Sequence, residues 1–262
     1  MFSTAGCNMP RQLSLLLFAV QFLTRLPVPA QLDFRPDWIN RSARYFPLVG
    51  QFVGLIAASV LLLAAHFWTM WIAAALALLT ATLLTGALHE DGLADTADGF
   101  GGGHNPTQRL AIMKDSSVGT YGILALGFCT LLKLSCLAIL SPWLAACSLI
   151  AAHGVARAAA VTIMHTLPYA GDPASAKLST HDQPPTRAET CTALLFAAWP
   201  LLLLHPANIL LALALCAIIT WAMAGLAKKL IGGQRGDVLG AVEQLCEAGF
   251  LLGCAAHFGI AH

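Results

Sequence analysis

The sequence predicts an all-α polytopic integral membrane protein, a bundle of about 7 transmembrane helices (roughly 6–8) with charged loops on the cytoplasmic side. Hydrophobic residues make up 58% of the 262 residues and charged residues 10%, whereas soluble domains carry roughly 25% charged residues. The mean hydropathy is +0.73, a value typical of membrane proteins. The charges are also concentrated in a few loops. We expect a single transmembrane helical domain over residues 1–262.

Six apolar segments are long enough to cross a bilayer as helices, because a span needs about 20 residues. They are 48–66, 68–88, 118–140, 142–166, 206–227 and 238–260. Segment 190–204 is short and contains Pro200, and segment 12–26 is interrupted by Arg25. Whether these two segments span is left open. The backbone in lipid must satisfy its own hydrogen bonds, so all spans are expected to be helices.

The charge distribution predicts the topology. Ten of the 14 Lys and Arg residues and 11 of the 13 acidic residues lie in loops 33–45, 89–117, 167–189 and 228–237. If the helices alternate, all four loops lie on one side, and the positive-inside rule makes that side the cytoplasm. The net charge of +1 gives no basic field for nucleic acid. We therefore expect charged, soluble substrates on the cytoplasmic face and no nucleic-acid partner.

The most distinctive polar feature is the run His89–Gly103, which reads HEDGLADTADGFGGG. If the preceding helix continues, Asp91, Asp95 and Asp98 lie at i, i+4 and i+7 on one face. Three carboxylates on one face repel each other, and a divalent cation removes the conflict. Carboxylate oxygens together with substrate phosphates suit Mg²⁺. The pattern predicts an Mg²⁺ site of these three aspartates with Glu90 nearby; a solvated acidic loop that caps a helix is the alternative.

Glycines and basic residues near this run fit a phosphate site. Gly92 allows close approach of another backbone or a substrate, and Gly99 and Gly101–Gly103 are expected to end the helix. Downstream, Arg109 and Lys114 are candidates for binding phosphate oxygens.

A second acidic group lies near the last predicted helix. Asp237 follows a glycine-rich turn, where capping a helix N-terminus is the alternative to a functional role. Glu243 and Glu247, at i and i+4, are candidates for additional metal ligands or a general base.

Ionisable residues inside membrane segments are costly unless they are paired or near a surface. We expect Lys133 to snorkel, and Arg157 either to snorkel or to bind phosphate. His153 and His165 have no ligand-like spacing and are expected to be packing residues. His89, beside the acidic run, is the candidate base or substrate contact.

Five sequence blocks spread over nearly the whole chain resemble the cobalamin synthase family, also called adenosylcobinamide-GDP ribazoletransferase. They are QFLTRLPVP (21–29), YFPLVG (45–50), the run 89–103, IMKDSSVGTYG (112–122) and GDVLGA (236–241). The second longest block contains Asp115, which we add to the candidate substrate-binding residues. The blocks at 89–103 and 112–122 together are highly specific.

The resemblance implies a reaction. The family joins adenosylcobinamide-GDP to α-ribazole, or to its 5′-phosphate, releases GMP, requires Mg²⁺ and resides in the bacterial inner membrane. The family's acidic motif falls on Glu90, Asp91, Asp95 and Asp98. The expected catalytic residues are these four and Glu247, with Asp98 or Glu247 as the base that deprotonates the acceptor hydroxyl. The expected substrate-binding residues are His89, Arg109, Lys114, Asp115, Arg157, Asp237 and Glu243. A homo-oligomer, or association with other cobalamin-assembly enzymes, is left open.

Two other protein classes are alternatives to this family. A CDP-alcohol phosphatidyltransferase also has an Asp-Gly-rich membrane motif with Mg²⁺, but its pattern places arginine after Ala94, where this chain has Asp95. A transporter for a divalent cation or corrinoid would place its carboxylates near the bilayer midplane. In this sequence they lie at helix ends, which favours an enzyme.

Overall fold

A computed structural model of the chain describes residues 10–28, 37–170 and 184–257. Within these ranges the chain forms eleven α-helices that are joined by short turns. One isolated backbone bridge pairs two of the connecting segments. The helices are α1 (Arg11–Leu23), α2 (Trp38–Ser42), α3 (Phe46–Ala64), α4 (Met70–Thr85), α5 (Leu88–Gly102), α6 (Pro106–Ile112), α7 (Thr120–Ile139), α8 (Pro142–Thr166), α9 (Arg187–Ala198), α10 (Pro206–Ile231) and α11 (Gly236–Cys254).

The predicted helical membrane fold is confirmed, but the count of about seven spans is not. In the described part of the chain, four helical segments are long and apolar enough to cross a membrane. They are Trp38–Ala64, Thr120–Ile139, Pro142–Thr166 and Pro206–Ile231, and α4 with α5 makes a fifth if the bent pair is one span. The 13 residues of α1 extend about 20 Å, too short for a bilayer core of about 30 Å. In segment 190–204, α9 gives way to a 3-10 turn at Trp199–Leu203.

Helix α11 lies inside the bundle. The sequence predicts a span at 238–260, but the helix ends at Cys254 and packs against α5, α7, α8 and α10. Most of its side chains are therefore buried by other helices rather than by lipid. This position carries Glu243 and Glu247 into the interior of the protein, where both are almost fully buried.

Small residues bring the helices close together, as two Gly-x-x-x-Gly patterns in the sequence, Gly50 to Gly54 and Gly249 to Gly253, predict. A Cβ atom at Gly54 of α3 would lie 3.0 Å from the Leu149 carbonyl oxygen of α8. A Cβ atom at Gly249 of α11 would lie 2.6 Å from Ile219 of α10. These glycines set the separation of the helices that surround the polar interior.

The chain turns sharply between α4 and α5. Gly86 and Ala87 both adopt left-handed backbone angles, with φ of 66° and 58°, and the two helices meet at 89°. The preceding helix therefore does not continue into the acidic run, which forms a separate helix, α5. A side chain at Gly86 would also collide with Arg25, whose backbone N–H donates to the Leu84 carbonyl at 2.7 Å.

The charged loops meet at one end of the bundle. Arg44 forms a 2.6 Å salt bridge with Glu189, which joins loop 33–45 to the start of α9. A backbone bridge pairs Tyr169 with Gln234, which joins the end of α8 to the turn before α11. Helix α5 packs against α11 beside this turn. The cytoplasmic orientation of this end stays a prediction; Arg35 and Lys177 of these loops lie outside the described residues.

Candidate active site

The four carboxylates of the acidic run lie on one regular helix, α5. Asp91 is exposed, Asp95 is half-buried and Asp98 is buried, so the row passes from the surface into the protein. The helix continues through Gly99 and Gly101 and ends at Gly102. The helix therefore ends within Gly101–Gly103, as predicted, but Gly99 lies inside it.

A fourth aspartate from the other end of the chain joins this row. Partial burial raises the pKa of Asp95 to about 6, with further contributions from the negative charges of Asp91, Asp237 and Asp98 in that order. Asp237 lies in the first turn of α11 and does not cap it, since the N-cap residue is Arg235. The structure thus gathers four like charges from two helices.

Glycines make the contact between α5 and α11 possible. A Cβ atom at Gly92 would lie 2.7 Å from the Asp237 carbonyl oxygen. A Cβ atom at Gly240 would lie 3.2 Å from the His89 carbonyl oxygen. The predicted close approach at Gly92 is confirmed, and the approaching backbone belongs to α11.

Asp98 also has a structural contact. Its carboxylate accepts hydrogen bonds from the backbone N–H groups of Gly119 at 2.7 Å and Gly122 at 2.9 Å. These are unpaired donors at the start of α7, where a negative charge is favourable. Asp98 therefore fixes α7 to the acidic helix; a carboxylate with four acceptor positions can still receive further partners.

A pocket of about 160 Å³ opens beside the acidic helix. Its lining includes Asp91, Asp237, His89, Arg157 and Glu243. The rest of the lining is apolar or glycine and comes mainly from α1, α3, α8 and α11: Phe22, Leu23, Phe46, Leu88, Ala160, Met164, Gly236, Leu239 and Gly240. The pocket therefore joins the gathered aspartates to the polar interior.

The polar interior is centred on Glu247 of α11. Lys133 of α7 donates to its Oε2 at 3.1 Å, and Arg157 of α8 lies 3.3 Å from its Oε1. His153, one turn before Arg157, also contacts Oε1 through Nδ1. All four residues are at most 5% exposed.

Glu243, one turn before Glu247, extends this group toward the pocket. Its Oε1 lies 2.6 Å from Arg157 Nη1 without hydrogen-bond geometry, and its Oε2 lies 3.8 Å from His89 Nδ1. Lys133 also donates to Gln244 at 2.6 Å. We call Lys133, His153, Arg157, Glu243 and Glu247 the buried charge network.

Three predictions about interior residues need correction. Lys133 does not snorkel, because its side chain faces α11 rather than lipid. Arg157 does not snorkel either, since it is 1% exposed and held by two carboxylates. His153 is more than a packing residue, as it contacts Glu247. His165 does fit the packing prediction, with its Nδ1 atom 2.7 Å from the Pro185 carbonyl oxygen.

The buried charge network does not fit a divalent cation. Among the described residues, His153, Glu243 and Glu247 form the one group with three ligand atoms within 4.8 Å of one another. Yet Arg157 and Lys133 already neutralise the two carboxylates. A metal ion would have to displace these cations or share a low-dielectric site with them, where like charges repel strongly.

A small cavity of about 40 Å³ is lined in part by the five residues of the buried charge network. Glu90 lines it, and its Oε1 accepts from the Thr82 hydroxyl at 2.9 Å, whereas its buried Oε2 has no hydrogen-bond partner. The cavity is polar and large enough for a buried water, which needs about 10–15 Å³. Glu90 thus faces inward, away from the row of aspartates.

The predicted phosphate-binding residues lie on the neighbouring short helix and loop. Arg109 of α6 is half-buried and donates to the Leu230 carbonyl at the end of α10, at 3.4 Å. Lys114 and Asp115 are exposed. Hydrogen bonds from the Ser117 hydroxyl and N–H lower the pKa of Asp115. None of these three residues lines the 160 Å³ pocket.

The aromatic wall of the pocket was not predicted from the sequence. Phe22 and Phe46 lie in the blocks QFLTRLPVP and YFPLVG, which carried the family resemblance without a role. Lys133 and His153 had no signal within their own helices, because their partners lie more than 90 residues away in α11.

Comparison with known proteins finds related sequences over most of the chain. The sequence profile described as cobalamin-5-phosphate synthase matches residues 15–255. A protein of Azorhizobium caulinodans named adenosylcobinamide-GDP ribazoletransferase is 46% identical over 248 residues, 90% of this chain and 92% of its own length. Proteins of the same name from Leptothrix cholodnii and Shewanella amazonensis are each 42% identical, over 92% and 90% of this chain and 95% and 93% of their own lengths.

No solved structure matches the chain. The profile covers the described helices from α1 to α11, including the acidic helix, the pocket and the buried charge network. On the strength of this match and of the relatives' identity over most of their length, the chain belongs to the cobalamin-5-phosphate synthase family, a family of transferases in cobalamin synthesis.

Proposed function

We propose that the protein joins adenosylcobinamide-GDP to α-ribazole, or to α-ribazole 5′-phosphate, and releases GMP. The relatives carry the name of this reaction. The observation that best supports it is the row of aspartates on α5 beside a pocket of about 160 Å³. A diphosphate substrate needs charge neutralisation at its reacting phosphorus, and these carboxylates can recruit the cation for it.

The carboxylates of α5 are the ligand type that Mg²⁺ prefers. Among the described residues their oxygens do not form a group of three within 4.8 Å, so the ion would have to draw them together. In the part of the chain described, no salt bridge joins Asp91 or Asp95 to a basic side chain. The raised pKa of Asp95 reflects burial together with uncompensated negative charge. Asp91, Asp95 and Asp98 would hold the ion, which when bound would neutralise charge on the diphosphate and on the departing GMP.

The reaction itself is a substitution at phosphorus. A ribose hydroxyl oxygen of the acceptor attacks the phosphorus attached to the cobinamide, and the bond from that phosphorus to the bridging oxygen breaks. GMP leaves with the bridging oxygen. Arg109 and Lys114 would hold phosphate oxygens of the donor, since positioning and charge neutralisation account for most of phosphoryl-transfer catalysis.

The proton of the attacking hydroxyl needs an acceptor. Glu247 is poorly placed for this role, because Lys133, His153 and Arg157 surround its carboxylate and it does not line the pocket. Asp98 accepts two backbone N–H groups. The carboxylates that do line the pocket are Asp91, Asp237 and Glu243, and we propose that the proton acceptor is one of these.

The test uses isolated membranes that contain the protein. Adenosylcobinamide-GDP and α-ribazole are supplied with Mg²⁺, and in parallel with a chelator. GMP and a cobalamin product should appear together in equal amounts, and only when free Mg²⁺ is present. GMP release without the cobalamin product, or with undiminished rate in the chelator, would contradict the proposal.

A further inference from the structure

The pocket beside the acidic helix has two unlike halves. One half carries the charged and polar side chains His89, Asp91, Arg157, Asp237 and Glu243. The other half is apolar and includes two aromatic rings, Phe22 of α1 and Phe46 of α3. A ligand that fills this pocket must therefore have one apolar and one polar part.

The aromatic half is ordered as a stack. The ring centroids of Phe22 and Phe46 are 5.8 Å apart with an interplanar angle of 22°. Phe18 stacks on Phe22 at 6.3 Å with an angle of 7°. Two of these three nearly parallel rings, Phe22 and Phe46, line the pocket, and flat aromatic ligands stack well on such rings.

The size and the lining of the pocket decide which part of a substrate it can take. An apolar cavity of roughly 150 Å³ is known to hold a benzene ring, and this pocket measures about 160 Å³. It can therefore take a single flat ring system. The corrin macrocycle of the donor is far larger and cannot enter. The guanine of the donor is also flat, but its edge carries several hydrogen-bonding groups that the apolar half of the pocket would leave unpaired.

We propose that this pocket binds the aromatic base of the acceptor nucleoside, with Phe22 and Phe46 as the residues that select a flat ring. This inference rests on the proposed function. It places the ribose of the acceptor next to Asp91 and Asp237, at the polar half, where its hydroxyl meets the phosphorus of the donor. The donor then approaches from the exposed side of α5, where Asp91 lies.

The test is a steady-state comparison of variants in membranes. Phe22→Leu removes a ring but keeps an apolar side chain of similar size. We expect the KM for α-ribazole to rise roughly 10-fold, equivalent to about 1.4 kcal/mol. The KM for adenosylcobinamide-GDP and the Mg²⁺ concentration for half-maximal rate should change by less than about twofold, because only acceptor binding is altered.

Matched variants separate this effect from a general loss of packing. Phe22→Tyr keeps the ring and should raise the acceptor KM less than Phe22→Leu does. Phe52→Leu changes a phenylalanine of α3 that is 46% exposed and does not line the pocket, and it should behave as wild type. Benzimidazole, used as a probe on the wild-type protein, should inhibit competitively against α-ribazole and not against adenosylcobinamide-GDP.

The outcomes distinguish the two proposals. If the wild-type membranes release no GMP, the proposed function fails. If they are active but Phe22→Leu leaves the acceptor KM unchanged, or raises the donor KM instead, the assignment of the pocket is wrong. If Phe22→Leu cannot be produced in folded form, Phe46→Leu and the benzimidazole competition decide, and competition with the donor alone would overturn the assignment.

Discussion

Two helices each carry a pair of carboxylates one helical turn apart, yet the surroundings of the two pairs differ. The pairs are Asp91 and Asp95 on α5, and Glu243 and Glu247 on α11. The pair on α5 lies with two further aspartates, and the pKa of Asp95 is raised to about 6 by burial and by their charges. The pair on α11 is fully buried, but Arg157 and Lys133 balance its charge.

This difference separates two uses of acidic residues in a membrane protein. Asp237 has Arg235 at 3.6 Å, but in the described part of the chain no salt bridge joins Asp91 or Asp95 to a basic side chain. These two carboxylates need a cation from outside, which fits a site for Mg²⁺ and a diphosphate. The buried charge network has its own cations and needs no external one. Its contacts join α7, α8 and α11 around the pocket. Spacing alone cannot tell these uses apart, because both pairs are i and i+4 in the sequence.

The largest expected loss of stability follows from removing one carboxylate of the buried charge network. Glu247→Gln leaves Lys133 and Arg157 with one carboxylate in a buried site, which typically costs about 3–5 kcal/mol. The thermal unfolding midpoint in detergent should fall clearly. The Mg²⁺ concentration for half-maximal rate of the remaining activity should not change, because this group binds no metal.

A double variant sharpens the same point. Lys133→Met combined with Glu247→Met removes one cation and one anion, and apolar replacement of a buried ion pair is often neutral for stability. The midpoint should return toward that of wild type. If Glu247→Gln instead shifts the Mg²⁺ dependence and leaves the midpoint unchanged, the buried charge network is a metal site and the comparison is wrong.

A smaller loss of stability is expected when the contact between α5 and α11, which brings Asp237 to the aspartates of α5, is disturbed. Gly92→Ala places a methyl group 2.7 Å from the Asp237 carbonyl oxygen, so the helices must separate. Overpacking of this kind costs about 1–3 kcal/mol, and the rate of GMP release should fall with it. Gly127→Ala is the control, because a Cβ atom at that α7 position meets nothing within 4 Å. Equal behaviour of the two variants would show that the close approach is unimportant.

The smallest loss of stability is expected for a change at Asp98. This residue belongs to the row of aspartates on α5 and also accepts hydrogen bonds from the start of α7. Asp98→Asn leaves one acceptor oxygen for the N–H groups of Gly119 and Gly122, so the unfolding free energy should fall by about 1 kcal/mol. The rate should fall less than for the corresponding change at Asp95. A loss of rate as large as at Asp95 with unchanged stability would show that the contact of Asp98 with α7 contributes nothing to stability and that Asp98 acts through the metal alone.

Local patterns predicted much of this architecture. Apolar length placed the helices, and the Gly-x-x-x-Gly pairs predicted close packing that Gly54 and Gly249 show. The break at Gly86–Ala87 was missed, because the apolar run gives no sign of an αL residue at Ala87. The count of about seven spans is not confirmed within the described residues, where α1 is short and α11 is covered by other helices.

Site residues could be predicted where the pattern that marks them lies within one helix, and could not be predicted where it depends on a distant partner. The aspartate row on α5 follows from helical spacing alone. The roles of Lys133 and His153 depend on Glu247, more than 90 residues further along the chain, and no spacing rule within one helix reveals such a partner. The aromatic wall likewise combines α1 and α3, and its rings have no polar atoms that would mark them as a site.

The central claim is that the unbalanced carboxylates of α5 carry the metal-dependent chemistry. The direct measurement is GMP release by Asp95→Asn in isolated membranes at saturating Mg²⁺, with the thermal unfolding midpoint recorded in parallel. We predict a loss of rate of at least about 100-fold, the order seen when one stabiliser of transition-state charge is removed, with a midpoint near that of wild type. Undiminished GMP release at saturating Mg²⁺ would contradict the claim.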